Sequence, residues 1–278
     1  MGLILIHPND TVLVQTENGH KYARQLIHKG DLVIKYGFPI GEATAEIQPG
    51  ELVHTHNLIS RLSGTKEYHY KPDFSFPKVP EKVPAFSAYK RADGRIGIRN
   101  EVWILPTVAC VNNTATCLAQ RTGAFAFTHP YGCSQLGDDL HRTAETLCAL
   151  ARHPNAGGVL ILGLGCENNR LSDLKQRLND LPADRIRFLN CQDCEDEMAT
   201  GETIIRELQQ ITQQDKREPV PLSELTIGLK CGGSDGFSGI TANPLCGKMT
   251  DRLTSLGGTA VLSEVPEMFG AEDILLHR

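Results

Sequence analysis

Four apparent strand ends after residue 88 of this chain carry a cysteine, three of them beside glycine: Cys110, Tyr131-Gly132-Cys133, Gly163-Leu164-Gly165-Cys166-Glu167 and Cys231-Gly232-Gly233-Ser234-Asp235. A thiol next to glycine sets a soft polar atom beside bare backbone N–H groups, and such groups backed by a helix N-terminus favour an anion. Any one of these turns is equally well a tight turn over a small buried thiol. Four of them point instead to a ligand rim, because open α/β sheets bind ligands beyond the carboxyl ends of their strands. The stretch "GLKCGGSDGFSGITANPLCGK" (228–248) adds six glycines and two cysteines, a backbone that something can approach closely.

Histidine supplies the acid–base chemistry. His20 follows Asn18-Gly19 and is expected at an exposed hairpin tip. His54 and His56 in "HTHN" fall on one face of a strand by period-2 alternation, either as a chelating pair or as a solvated edge. His129 lies four residues before Cys133, placed as a base or a ligand. Other motifs are weak. "GLGCEN" lacks the third glycine of a dinucleotide fingerprint, no Walker loop occurs, and "CQDC" (191–194) has no second cysteine pair to complete a structural zinc site.

These residues need a scaffold. Residues 1–71 read as short β-branched runs, "TVLVQT", "LVIKYG" and "ELVHTH", cut by turns at Asn18-Gly19, Lys29-Gly30 and Pro49-Gly50: a small all-β domain. Pro72, Pro77, Pro80 and Pro84 make 72–88 an extended linker. From 89 to 278 apolar strands alternate with helical periods, which predicts a parallel α/β domain with helices on both faces of its sheet. In that pattern "EVWILPTVAC", "AFAFTHPYGC", "GGVLILGLGCE", "RIRFLNCQ", "ELTIGLKCGG" and "TAVLSEVPE" are the strands.

Composition narrows the function. Net charge is −5, with no basic stripe to neutralise phosphates, which argues against a nucleic-acid partner. No apolar run approaches the roughly 18 residues that a membrane span needs. Nine cysteines behind a start with no basic n-region imply reduced thiols and a cytoplasmic location.

Taken together, "YKRADGRIGIRN" (89–100), "THPYGCSQLGDD" (128–139), "GLGCENN" (163–169) and "KCGGSDGFSGITANP" (230–244) resemble the altronate and galactarate dehydratase family. "GHK", "IKYGFPIG" and "HTHN" resemble the β-clip (SAF) domain that begins its members. The resemblance implies a ferrous-iron lyase, with Mn(II) as a substitute metal, that dehydrates D-altronate to 2-keto-3-deoxy-D-gluconate in hexuronate breakdown. Galactarate dehydration, sulfite elimination from sulfolactate, and a non-catalytic sugar-acid binder stand as alternatives. Family members continue for about as long again, so the chain is expected to be truncated, with a second copy or a polypeptide carrying the missing half as partner.

The chemistry removes a proton α to a carboxylate and expels the β-hydroxyl, which calls for a Lewis acid, a base and a carboxylate anchor. On this chain His20 is the first choice for metal ligand or acid–base group. Cys133 and Cys166 are further metal-ligand candidates, and His129, Cys133 and Glu167 are candidate proton carriers. Arg91 and Arg99 are expected to pair with the substrate carboxylate. Ser234, Asp235, Ser238, Thr241 and Asn243 are expected to bind its hydroxyls.

Overall fold

The structure is a computed structural model and describes residues 2–61, 67–73, 78–231, 233, 236–268 and 270–277. The chain forms two compact units, Met1–Val83 with Leu222–Arg278, and Pro84–Pro221. Thus the segment after residue 221 groups with the β domain, not with the parallel sheet that precedes it in sequence.

The β domain consists of β1 (Leu3–Ile4), β2 (Val12–Gln15), β3 (Lys21–Ala23), β4 (Leu32–Lys35), β5 (Phe38–Ala43), β6 (Leu52–Val53) and β7 (Leu58–Ile59). They make two antiparallel sheets, β1-β2-β3-β6 and β4-β5-β7. An internal repeat explains the pairing. Ala23, Ile27, Gly30, Asp31, Leu32 and Val33 recur twenty residues later as Ala43, Ile47, Gly50, Glu51, Leu52 and Val53. Ile27 and Ile47 form a mutual bridge, and both alanines, both isoleucines and both valines fill one core. Gly30 (φ +90°) and Gly50 (φ +83°) take the left-handed turn position. Each following carboxylate accepts from the backbone N–H three residues earlier, Asp31 from His28 at 2.9 Å and Glu51 from Gln48 at 3.0 Å. Period-2 reading of "ELVHTH" overran this turn. β6 ends at Val53, and residues 54–57 turn around Asn57, whose side chain binds His54 N–H and Leu52 C=O. His54 and His56 are therefore turn residues and not a same-face strand pair.

In the second unit, β8 (Ala85–Lys90) and β9 (Ile96–Gly97) precede β10 (Glu101–Pro106), α1 (Asn112–Thr122), β11 (Phe125–Ala126), α2 (Gly137–Ala151), β12 (Ala156–Gly163), α3 (Leu171–Arg177), β13 (Ile186–Asn190), α4 (Glu197–Thr212) and β14 (Glu218–Pro221). β8 starts inside the expected linker and pairs with β14 and β9. The parallel sheet has the order β11-β10-β12-β13. Alternation along each strand sorts the core. Ile104, Leu160 and Leu162 pack with Leu118 of α1 and Leu208 of α4, while Leu105, Val159 and Ile161 pack with Leu147 of α2 and Leu174 of α3. Asp196 caps α4, its carboxylate accepting from Ala199 N–H at 2.9 Å.

The last segment holds β15 (Thr226–Leu229), α5 (Ala242–Thr254), β16 (Thr259–Leu262) and α6 (Glu272–Leu276). β15 and β16 pair with each other in parallel, forming a separate two-stranded sheet and not extending the four-stranded one as the strand–helix alternation suggested.

Candidate active site

In the parallel sheet the chain leaves β10 for β11 on one side and returns to β12 on the other, so the strand order reverses between β10 and β12. Their carboxyl ends are where such sheets bind ligands. Thr107 follows β10 and Glu167 follows β12, and the two meet: the Thr107 hydroxyl donates to Glu167 Oε1. Glu167 is 4% exposed, and its carboxylate also accepts from Leu164 N–H at 3.2 Å and Gly165 N–H at 2.7 Å. Both oxygens are thus engaged in shaping the turn. Glu167 fits a positioning carboxylate that holds Cys166 outward better than it fits a free proton carrier.

His129 is similarly occupied. Tyr131 N–H donates to its Nδ1 at 3.3 Å, which leaves Nε2–H to donate to Pro106 C=O at 2.8 Å. Asn112 and Asn168 tie the neighbouring turns together through His129 C=O (2.8 Å) and Cys133 C=O (2.9 Å). Cys110, Cys133 and Cys166 are exposed at this rim. Cys191, half-buried just beyond β13, is different: burial foremost, with nearby acidic groups and Cys194, pushes its thiol up to about 11, so it stays protonated at neutral pH.

Arg91 and Arg99 lie at the other, amino-terminal edge of the same sheet, away from the thiols. Arg91 donates to Pro154 C=O (2.7 Å), Asn100 Oδ1 (2.8 Å) and Arg99 C=O (3.0 Å), and stands 3.6 Å from Asp215. Asp215 also takes a bidentate pair from Arg185, with both contacts at 2.7 Å. Burial pushes the Asp215 carboxyl upward, but Arg185, Asn100 and Arg91 together outweigh it and leave the group below the usual carboxylate range. Arg99 pairs with Glu101 at 3.0 Å. Arg91 is therefore a strut locking the entry to the sheet, and the expected pairing of Arg91 and Arg99 with a substrate carboxylate is not retained.

The other unit answers why the stretch 228–248 is so rich in glycine. The Asn18-Gly19 turn crosses the glycine-rich loop backbone to backbone: a Cβ at Gly236 would lie 2.7 Å from Gly19 Cα, and one at Gly19 would lie 2.8 Å from Gly236 Cα. Tyr36, itself at φ +60°, donates its hydroxyl to Gly236 C=O at 2.7 Å. A left-handed tyrosine is strained, and the surrounding contacts hold it there. Lys35 Nζ stands 4.4 Å above the Tyr36 ring. The next residue after the turn, His20, is exposed, and its ring stacks on that of His54 with centroids 6.4 Å apart. Lys21 is half-buried; desolvation, reinforced by the charge of Lys35, lowers its pKa below the usual lysine range.

The crossing sets the Gly19 turn and the Tyr36 ring against a hydroxyl-bearing loop. Thr241 donates its hydroxyl to Phe237 C=O at 2.9 Å, Asn243 N–H donates to Ser238 C=O at 2.9 Å, and Asn243 lies exposed in the first turn of α5. Ser234 and Asp235 lie outside the described residues. Cys231 is exposed at the end of β15, its N–H donating to Glu264 Oε2 at 2.9 Å, and Glu264 in turn stands 3.3 Å from Lys230. Because the Gly19–Gly236 contact is between main chains, no rotamer change relieves an added methyl. Gly236→Ala is expected to destabilise this unit by about 1–3 kcal/mol. Hydrogen exchange should then quicken in 12–23 and 230–245 and stay unchanged in β10 and β12; unchanged exchange throughout would refute the crossing.

Sequence reasoning named His20 but not Lys21, Lys35 and Tyr36, which lie on the same strands and turns. The available signal was Tyr36-Gly37, a non-glycine residue forced into a tight turn between two strands. The metal reading fares less well. Among the described residues no three His, Cys, Asp or Glu side chains converge on one point. His20 and His54 offer two imidazoles but no joined carboxylate, so these residues do not by themselves make an iron site.

Comparison with known proteins agrees across nearly the whole chain. Residues 11–61 match the altronate/galactarate dehydratase SAF domain, 88–213 the second domain of D-galactarate dehydratase/altronate hydrolase, and 222–278 the D-galactarate/altronate dehydratase C-terminal domain. The chain is 50% identical over 273 residues to altronate dehydratase of Bacillus subtilis (strain 168), covering 94% of this chain and 55% of that protein. It is 47% identical to altronate dehydratase of Escherichia coli (strain K12), covering 96% and 57%, and 31% identical to the galactarate dehydratase (L-threo-forming) of the same organism, covering 94% and 54%. The chain therefore spans a little over half the length of these relatives. With all three of its regions matching successive domains of one family, this chain belongs to the altronate/galactarate dehydratases.

Proposed function

We propose that this chain supplies the substrate-holding and proton-handling residues of a hydro-lyase that converts D-altronate to 2-keto-3-deoxy-D-gluconate. One observation carries the choice of substrate: identity is 50% and 47% to two altronate dehydratases but 31% to a galactarate dehydratase, over nearly the same span. In this reading the C2 proton leaves to a base, the C3–oxygen bond breaks, and the departing hydroxide takes up a proton to become water. The enol so formed tautomerises to the ketone. His20, exposed beside the glycine-rich loop, handles the proton. Ser238, Thr241 and Asn243 lie on or next to that loop and orient the polyol. At the rim of the parallel sheet, Glu167 and His129 hold the turns that present Cys133 and Cys166.

A ferrous or manganous requirement is part of the proposal, but the donors described do not complete a metal site. The rest of the setting is proposed with it: hexuronate breakdown in the cytoplasm, with a second copy or a further polypeptide of the family completing the enzyme. No helix among the described residues is long and apolar enough to cross a membrane. The test is keto-acid formation from D-altronate, galactarate and (2R)-sulfolactate with added Fe(II) or Mn(II), by the enzyme completed with that copy or polypeptide. Altronate is expected to react preferentially. Preference for either of the other two acids, or binding of altronate without turnover, would overturn the assignment.

A further inference from the structure

With Arg91 and Arg99 committed elsewhere, the carboxylate of a sugar acid needs another partner. Lys21 and Lys35 are both half-buried, and neither has an acidic partner among the described residues. The two lie near the same crossing: Lys21 is two residues past Gly19, which packs on Gly236, and Lys35 precedes Tyr36, which binds Gly236 C=O. A desolvated like-charge pair is unfavourable unless an anion joins it. The fold nevertheless enforces the arrangement. Lys21 is held in β3 between Val14 and Val53, and Lys35 ends β4 with its Nζ over the Tyr36 ring. Tyr36 is in turn tied to Gly236 C=O, which sets the Lys35 ammonium on a ring that contacts the glycine-rich loop, while β3 carries Lys21 away from the Gly19 turn that crosses it.

We propose that Lys21 and Lys35 form the carboxylate-binding pair of the site, resting on the reading of this chain as a sugar-acid enzyme. Two ammonium groups converging on one carboxylate make charge-assisted hydrogen bonds, whose loss weakens binding steeply. The lysines bind and orient; the proton transfer remains with His20.

The experiment is calorimetric binding to the purified chain of D-altronate, D-gluconate, galactarate and D-altritol, the last being the same polyol without a carboxylate. Lys21→Met and Lys35→Met are each expected to weaken D-altronate binding about tenfold, and the double variant about a hundredfold. D-Altritol affinity should not change, which separates charge recognition from a collapsed site. Lys21→Arg and Lys35→Arg should stay within about threefold of wild type, since charge is kept. Full altronate affinity in both methionine variants overturns the pair and leaves the altronate assignment standing. Equal wild-type affinity for all the acids, lost in the methionine variants, overturns the altronate assignment and upholds the pair. Binding of no acid by the wild-type chain overturns both.

Discussion

Glu167→Ala is expected to lower the stability of the parallel-sheet unit by about 3 kcal/mol, although the residue lies in a turn. Most turn substitutions cost far less. Here the side chain is 4% exposed and serves three donors: Thr107 Oγ1, Leu164 N–H and Gly165 N–H. Alanine leaves all three without an acceptor in a space opened by the lost carboxylate, and each unmet donor costs roughly 1–3 kcal/mol before water enters. Glu167→Gln should fall between, at about 1–2 kcal/mol, because its amide nitrogen would face at least one donor. Urea unfolding followed by Trp103, the single tryptophan, reports on this unit. A loss below about 1 kcal/mol for the alanine variant would show that the turn does not depend on the carboxylate. The same variant should alter Cys166 alkylation, since that thiol is presented by the turn Glu167 organises.

On the proposed function, His20→Ala is expected to do the reverse, leaving the fold intact and lowering turnover of the complete enzyme. The imidazole is exposed at the hairpin tip and stacks on the His54 ring. The turn beneath it is held by main chain and by Asn18, whose Oδ1 accepts from His20 N–H at 2.9 Å. Its melting temperature should move by no more than a degree or two. Removal of a positioned acid–base group lowers turnover by about 10² to 10⁴-fold, and that range is expected for keto-acid formation from D-altronate. His54→Ala should have a smaller effect, by loosening the ring it stacks on. Wild-type turnover in His20→Ala would remove this histidine from the chemistry and shift attention to the rim of the parallel sheet.

The contrast between these two residues shows what residue type can and cannot convey. Histidine and glutamate are both proton carriers by chemistry, and both lie within two residues of a glycine here. Local sequence does not reveal burial, and burial separates them: three donors close around Glu167, while the ring of His20 is exposed and stacked on that of His54. Arg91 makes the same point. Its guanidinium suits a carboxylate anchor, yet residues 9, 63 and 124 positions away in sequence, namely Asn100, Pro154 and Asp215, converge on it.

Short-range patterns alone determined much of this protein. Alternation and helical period placed β10, β12, β13, α1, α2 and α4, because burial of one strand face or helix stripe writes its own spacing into the chain. The Asn18-Gly19 turn and the cysteines after β12 and β15 were legible for the same local reason. Tertiary structure decided the rest: that β15 and β16 pair apart from the main sheet, that His54 leaves its strand, and that Gly236 meets Gly19. Those outcomes depend on which distant backbones touch, and a contact between two main chains leaves only the absence of a side chain as its mark in the sequence.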